Sequence, residues 1–296
     1  MPSDAFATLS SPETTIVLAA LLGLLIGSFL NVVVYRLPVI MERQWAAELA
    51  DAQADGKPAS STYAVAADAE PFNLVVPRSR CPHCGHTVRW YENLPVVSWL
   101  ALRGKCSACK GAISVRYPLV EIATALAFGF CAWRWGASWT GLAWCGFAAA
   151  LIALGLIDWD TTLLPDSITL PLLWAGLLVA ALQWSAIPLA DAVWGAAAGY
   201  LSLWLVYWGF KLLTGKEGMG FGDFKLFAAL GAWFGWQALI PLILAASIAG
   251  ALVGIVLKLR SSLREGGYLP FGPFLAAAGL IGMVFGPQAL LRAVGL

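Results

Sequence analysis

The sequence predicts an all-α polytopic membrane protein with about eight transmembrane helices, and three observations carry that prediction. Sixty per cent of the 296 residues are hydrophobic and only 12% are charged, with a mean hydropathy of +0.77. A soluble globular chain carries about a quarter charged residues, so the composition excludes that class. The apolar residues gather into runs close to the roughly 20 residues that cross a bilayer, and the basic residues are sorted between those runs.

In chain order the apolar runs occupy 14–37, 117–134, 139–157, 167–184, 188–210, 224–237, 238–257 and 269–291. The second is short and carries Glu121, and the sixth is nearly continuous with the seventh, so a seven-span count is the alternative. The N-terminal flank holds Asp4 and Glu13 but no Lys or Arg, whereas a signal peptide opens with positive charge. The first run therefore reads as a transmembrane helix with its N-terminus outside. The stretches 36–116, 158–166, 211–225 and 258–268 then face the cytoplasm. They hold ten, zero, three and three basic residues, sixteen of the eighteen, and only Arg134 and Arg292 fall elsewhere. Positive charge is retained on the cytoplasmic side during insertion, so this partition favours eight spans with both termini on the far side. Fifteen Trp and seven Tyr suit a chain with many membrane interfaces. A net charge of +1 lacks the basic excess of a nucleic-acid binder, and lipid is the expected surrounding.

The sequence divides into a first transmembrane helix (1–37), a cytoplasmic loop (38–116) and a seven-helix membrane domain (117–296). Residues 38–71 carry Glu42, Glu48, Asp51, Asp55, Asp68 and Glu70 against Arg43 and Lys57, with a short amphipathic helix expected over 42–54. Residues 72–116 carry seven basic residues against Glu92. Within them Cys81-Pro-His-Cys84-Gly and Cys106-Ser-Ala-Cys109-Lys-Gly form two knuckles separated by 21 residues. Four thiolates at this spacing suit a closed, structural tetrahedral zinc site. The competing reading, two disulfides, is disfavoured in a reducing cytosol. Gly85 and Gly111 stand where each knuckle turns back, a task for a residue without Cβ. His83 and His86 read as polar bystanders or as groups supporting the metal ligands, and Cys131 and Cys145 as small buried hydrophobes.

Acids within or beside apolar helices are costly and mark function by default. Those here are Glu121, Asp158, Asp160, Asp166, Asp191 and Asp223. Asp191 is interfacial, and Glu121 either pairs with a basic group or lines a cavity. Asp158 closes the third run, and Asp223 opens the sixth within Gly218-Met-Gly-Phe-Gly-Asp-Phe-Lys. Both emerge on the cytoplasmic face. A glycine-rich helix start permits close approach and leaves backbone N–H groups free to hold a carboxylate. Two acids at one depth suggest aspartyl chemistry, because neighbouring carboxylates share a proton and divide the acid and base roles. The plainer reading is a pair of interfacial acids capping their helices.

Longer motifs add to these residues. Gly220-Phe-Gly-Asp223 matches the Gly-x-Gly-Asp signature of intramembrane aspartyl proteases. The chain also resembles the bacterial type IV prepilin peptidases along nearly its whole length. The resemblance rests on Gly27-Ser-Phe-Leu-Asn31 through Arg36-Leu-Pro38, the paired knuckles, Tyr91-Glu-Asn-Leu-Pro95, Arg116-Tyr-Pro-Leu-Val-Glu121, Ile157-Asp158, Leu164-Pro165-Asp166 and Phe271-Gly-Pro-Phe274, in that order. It implies an inner-membrane enzyme that removes a short basic leader from prepilins or type II secretion pseudopilins, after a glycine at the cytoplasmic face. It further implies N-methylation of the new N-terminus with S-adenosylmethionine as donor, and Asp158 and Asp223 as the catalytic pair. The methylation residues are placed only loosely, in the first helix and the knuckle loop. The acidic stretch 38–71, longer than the family's, is either a solvated linker or an attractor for basic leaders. The rival classes are a proteolysis-only relative, a transporter, which would hold its acids nearer the bilayer centre, and a non-catalytic assembly scaffold.

Overall fold

The computed structural model describes residues 11–54, 72–216, 218–260, 269–293 and 295. Asp55, Asp68 and Glu70 of the acidic stretch lie outside the described residues. Ten α-helices form among those described: α1 Pro12–Ala54, α2 Val97–Ala101, α3 Arg116–Trp135, α4 Trp139–Thr161, α5 Asp166–Ala181, α6 Leu189–Thr214, α7 Phe221–Phe234, α8 Leu239–Leu259, α9 Gly272–Phe285 and α10 Pro287–Ala293. A helix covers each of the eight predicted apolar runs.

The sixth and seventh runs are separate helices, as the eight-run reading has them, because Gly235 at φ 79° takes a conformation costly for other residues and a 3₁₀ turn follows. Two other boundaries differ for local reasons. α1 does not stop at Pro38 but continues through it to Ala54, absorbing the short amphipathic helix expected at 42–54. The eighth run is cut into α9 and α10 by Gly286, at φ 80°.

Four helical stretches are long and apolar enough to cross a membrane: within α1, α4, α6, and Trp236–Leu259, which contains α8. α5, α7 and α9 have 16, 14 and 14 residues. At about 1.5 Å per residue they fall short of a roughly 30 Å hydrocarbon core. α3 is longer but carries Arg116, Glu121 and Arg134.

The chain forms two compact units. The first, Leu21–Ala125, holds most of α1, the knuckle loop, α2 and the start of α3. Its buried charged groups are tied to backbone. Arg36 donates to the carbonyls of Asn73 at 2.9 Å and Pro77 at 2.6 Å, fixing the loop to α1. The Glu121 carboxylate accepts the Val96 N–H at 2.7 Å, at the start of α2. Gly27 lets α1 approach α3 at Glu121, where a Cβ would lie 2.7 Å from the Glu121 Cα.

The second unit, Met1–Ala20 with Leu126–Leu296, is a helical bundle built around α7. α7 is buried from Asp223 to Phe234 except at Lys225. A helix apolar all round belongs inside a bundle, and α5, α6 and α9 surround this one. α6 and α7 touch backbone to backbone: a Cβ on Gly195 would strike the Gly231 carbonyl, and one on Gly199 would come within 2.7 Å of the Phe227 carbonyl. On the α5 side, Gly176 makes room for the Trp233 indole, which donates to the Leu172 carbonyl at 2.9 Å.

Gly231→Leu should therefore lower the thermal midpoint of the detergent-purified protein, by the equivalent of about 1–3 kcal/mol or more. Gly209→Leu, where a Cβ meets open space, should leave it unchanged. Equal midpoints for the two variants would show that the α6–α7 contact is not tight.

Candidate active site and metal centre

α4 runs one turn past the predicted end of its apolar segment, so Asp158 lies inside the helix. Thr162 ends the helix in a left-handed conformation at φ 58°, donating its N–H to the Asp158 carbonyl at 2.9 Å. The Asp158 side chain is 4% exposed and lies against the first residue of α9; a Cβ on Gly272 would be 2.5 Å from its Oδ2.

Asp223 is the third residue of α7, preceded by Gly220 as the helix-capping residue. Its carboxylate accepts the Gly220 N–H, and its own N–H donates to the Gly220 carbonyl at 3.2 Å. This is the glycine-bounded cradle expected at the helix start. None of Gly218, Gly220 and Gly222 has a positive φ. Their use is space: a Cβ on Gly222 would lie 2.6 Å from Leu164 Cβ. Leu164 also reaches Gly272, at 3.1 Å from where its Cβ would be, so this one side chain fills the gap between the starts of α7 and α9. Asp223 is 5% exposed, and its Oδ1 is buried without a hydrogen-bond partner. The Asp158 carboxylate acts on it electrostatically. Two acids 65 positions apart in the chain thus meet in one unit, at the end of one helix and the start of another.

The other acids are placed differently. Asp160 is exposed. Asp166 is exposed and accepts two 2.7 Å bonds from Lys225 Nζ, which joins the starts of α5 and α7. Asp191 lies beside Gly235, at the opposite end of α7 from Asp223. Glu121 accepts hydrogen bonds from the Val96 N–H, at 2.7 Å, and from the Ser28 side chain.

The four knuckle cysteines converge, with all four sulphurs within 4.8 Å of one another and Cys81 and Cys109 Sγ 3.8 Å apart. Tetrahedral zinc with bonds of about 2.3 Å separates its sulphurs by about 3.8 Å, so the donor set fits such an ion. All six cysteines are free thiols, and no disulfide joins the knuckles. The N–H groups of Cys109 and Ala108 point at the Cys106 sulphur and bring its pKa down to about 6, favouring the thiolate that binds metal.

The two knuckles repeat one hydrogen-bond pattern. Gly85 N–H donates to the Cys81 carbonyl and Lys110 N–H to that of Cys106; Cys81 and Cys106 N–H donate to the carbonyls of His86 and Gly111. The left-handed position is therefore Gly85, at φ 70°, in the first knuckle but Lys110, at φ 60°, in the second. Gly111 is needed for another reason: the His83 ring packs on it, 3.0 Å from where a Cβ would be. His86 Nε2 lies 3.2 Å from Glu92 Oε2. The histidines are thus not idle, since both brace the knuckles. Sequence reading missed Glu92, whose carboxylate takes the Arg89 N–H, the Ser107 hydroxyl and His86, and is held down to about 2 as a result.

Cys131 and Cys145 are buried as expected, Cys131 with its sulphur 4.0 Å from that of Met283.

Comparison with known proteins gives the same picture. The profile of the bacterial peptidase A24 N-terminal domain matches residues 21–135, and that of the type IV leader peptidase family matches 145–255. The chain is 54% identical to the prepilin leader peptidase/N-methyltransferase of Pseudomonas putida over 278 residues, 94% of this chain and 93% of the relative. It is 50% identical to that of Stutzerimonas stutzeri and 51% to that of Pseudomonas aeruginosa, each over 280 residues and the same shares. No solved structure matches it significantly. With both domain profiles in order and full-length relatives at this identity, the chain belongs to the type IV leader peptidase family.

Proposed function

We propose that this protein removes the short basic leader of type IV prepilins and type II secretion pseudopilins, cutting after a glycine at the cytoplasmic membrane face, and then N-methylates the new N-terminal residue. The observation that carries the reading is the pair Asp158 and Asp223, buried and electrostatically coupled at one place in the bundle. The pair holds one proton between its members, because two adjacent buried carboxylates do not both ionise. The ionised member takes a proton from water as the water oxygen bonds to the scissile carbonyl carbon. The protonated member donates to the carbonyl oxygen. Collapse of the tetrahedral intermediate breaks the C–N bond, and the leaving amine takes up a proton from the pair. S-adenosylmethionine, when bound, would supply the electrophilic methyl for the new N-terminal amine.

Eight spans in the inner membrane, with both termini periplasmic, put this pair at the cytoplasmic face. The sorting of sixteen of eighteen basic residues supports that topology. Short helices such as α7 are accommodated if their neighbours shield them from lipid, and α7 is buried along nearly its whole length. The division into 1–37, 38–116 and 117–296 follows from the same topology. Cys81, Cys84, Cys106 and Cys109 hold a structural zinc that closes the loop, with no open position for chemistry.

Asp158→Asn and Asp223→Asn should each give a folded, inserted protein whose cleavage of a purified prepilin falls by about a hundredfold or more. Asp160→Asn should cleave normally. Loss in Asp160→Asn with retention in Asp158→Asn would overturn the assignment. Metal analysis should find one zinc per chain, and Cys81→Ser or Cys106→Ser should lower it and speed proteolysis of the loop. A zinc-free purified wild type that cleaves and methylates normally would remove the metal from the reading.

A further inference from the structure

Asp158 and Asp223 are 4% and 5% exposed, yet hydrolysis requires a peptide carbonyl and a water to reach both carboxylates. Some part of the bundle therefore moves before cleavage. Most of what surrounds the pair is held too tightly to do so. α7 is seated on α6 through backbone contacts at Gly195, Gly199 and Gly231, and the Asp158 carboxylate lies against Gly272 at the start of α9.

The turn between α4 and α5, residues 162–165, is built differently. It begins at Thr162, whose φ of 58° is a strained conformation for a β-branched residue. Strain of this kind gathers at ligand clamps and switches. The Thr162 N–H donates to the Asp158 carbonyl at 2.9 Å, so the turn starts from the acid's own backbone. At the far end Pro165 is buried, and its carbonyl accepts the Thr169 N–H at 3.0 Å and the Thr169 hydroxyl at 2.6 Å. Between these ties, Leu163 and Leu164 take part in no backbone hydrogen bond among the described residues.

Leu164 is partly exposed. Its Cδ1 lies 3.2 Å from where a Gly222 Cβ would be and 3.1 Å from where a Gly272 Cβ would be. Gly222 adjoins Asp223 in the chain, and Gly272 adjoins Asp158 in space. One side chain thus stands beside both acids, in room left by two absent Cβ atoms. Two positions on, Asp166 takes both 2.7 Å bonds from Lys225, which lies two positions beyond Asp223. The two side chains are 53% and 29% exposed. An ion pair so exposed holds weakly, which suits a latch that must release.

We propose that Leu164 is a plug occupying the substrate cleft of the resting enzyme, displaced by the scissile segment of the prepilin, with Thr162 as hinge and the Asp166–Lys225 pair as latch. The space it vacates, between the starts of α7 and α9, takes the peptide bond within reach of both carboxylates. The inference rests on the catalytic pair proposed above and adds how that pair is reached.

The test reads access and not catalysis. Asp223→Cys, in the full chain in detergent, places a thiol at the plugged position, and its alkylation by N-ethylmaleimide is followed by peptide mass. A buried thiol reacts through the open population, so this variant alone should label slowly. Adding Leu164→Ala should speed labelling by about tenfold or more, the scale of truncating a packed leucine. Adding Lys225→Met should speed it by roughly threefold, as for an exposed ion pair. Cys131 and Cys145, buried elsewhere in the same unit, should stay unlabelled throughout. An excess of prepilin should slow labelling again in the Leu164→Ala background. Fast labelling of Asp223→Cys alone, or equal rates in all three proteins, overturns the plug and leaves the catalytic pair standing. Acceleration that prepilin does not slow overturns Leu164 as the occupant of the substrate cleft. If Leu164→Ala also exposes Cys131 and Cys145, Lys225→Met decides alone. Normal prepilin cleavage by Asp223→Asn overturns the catalytic pair itself, and the plug with it.

Discussion

The contact between α6 and α7 is the constraint on which the membrane unit depends. With Gly195, Gly199 and Gly231 at the seam, the two backbones approach as closely as they can. Close approach of helices through small residues is the main way bundles gain packing energy where lipid removes the hydrophobic incentive. Once α7 is pinned on that side, Gly176 and Trp233 fix its other flank against α5. Asp223, at the N-terminal end of this clamped helix, has little freedom left. Its partner is brought in by α4, which packs along α9, and Leu164 packs against the starts of both α7 and α9. The two carboxylates therefore meet because four helices are fixed by backbone-scale contacts, with the Lys225–Asp166 ion pair tying the starts of α5 and α7 together.

The knuckle unit is held together by different means. It has few buried apolar side chains and relies on satisfied polar groups and four converging thiols. Burying a charge is expensive unless it is hydrogen-bonded, and here each case is met by backbone: Arg36 by two carbonyls and Glu121 by an N–H. Glu92 is met by one N–H and by side chains from both sides of the knuckle pair. Such groups give a small, core-poor unit a single arrangement, since any other leaves a charge uncompensated. Zinc at the knuckles would add to this by closing the loop, as structural metals do in small domains.

The two units follow the two family profiles, 21–135 and 145–255, and the proposed chemistry divides along the same line. Proton sharing between two acids needs a dry site, where neighbouring charges act strongly on each other.

Much of this was legible in the residues. Composition and basic sorting identified the membrane class, and helices lie over every predicted apolar run, because twenty-residue hydrophobicity is a local property of the chain. The Cys-x-x-Cys pairs declared their own convergence, and Asp158 and Asp223 stood out as rare acids at apolar helix ends. What the sequence could not show is anything that depends on a distant partner. The role of Gly222 depends on Leu164, that of Gly111 on His83, and that of Glu121 on an N–H 25 positions away. The left-handed turn at Lys110 looked like work for the glycine beside it, because the knuckle's hydrogen bonds, which fix the register, are not written in residue type. Glu92 read as one acid in a basic stretch, yet its carboxylate joins both knuckles. Spacing along the chain determines which residues are available, and only packing in three dimensions decides which of them meet.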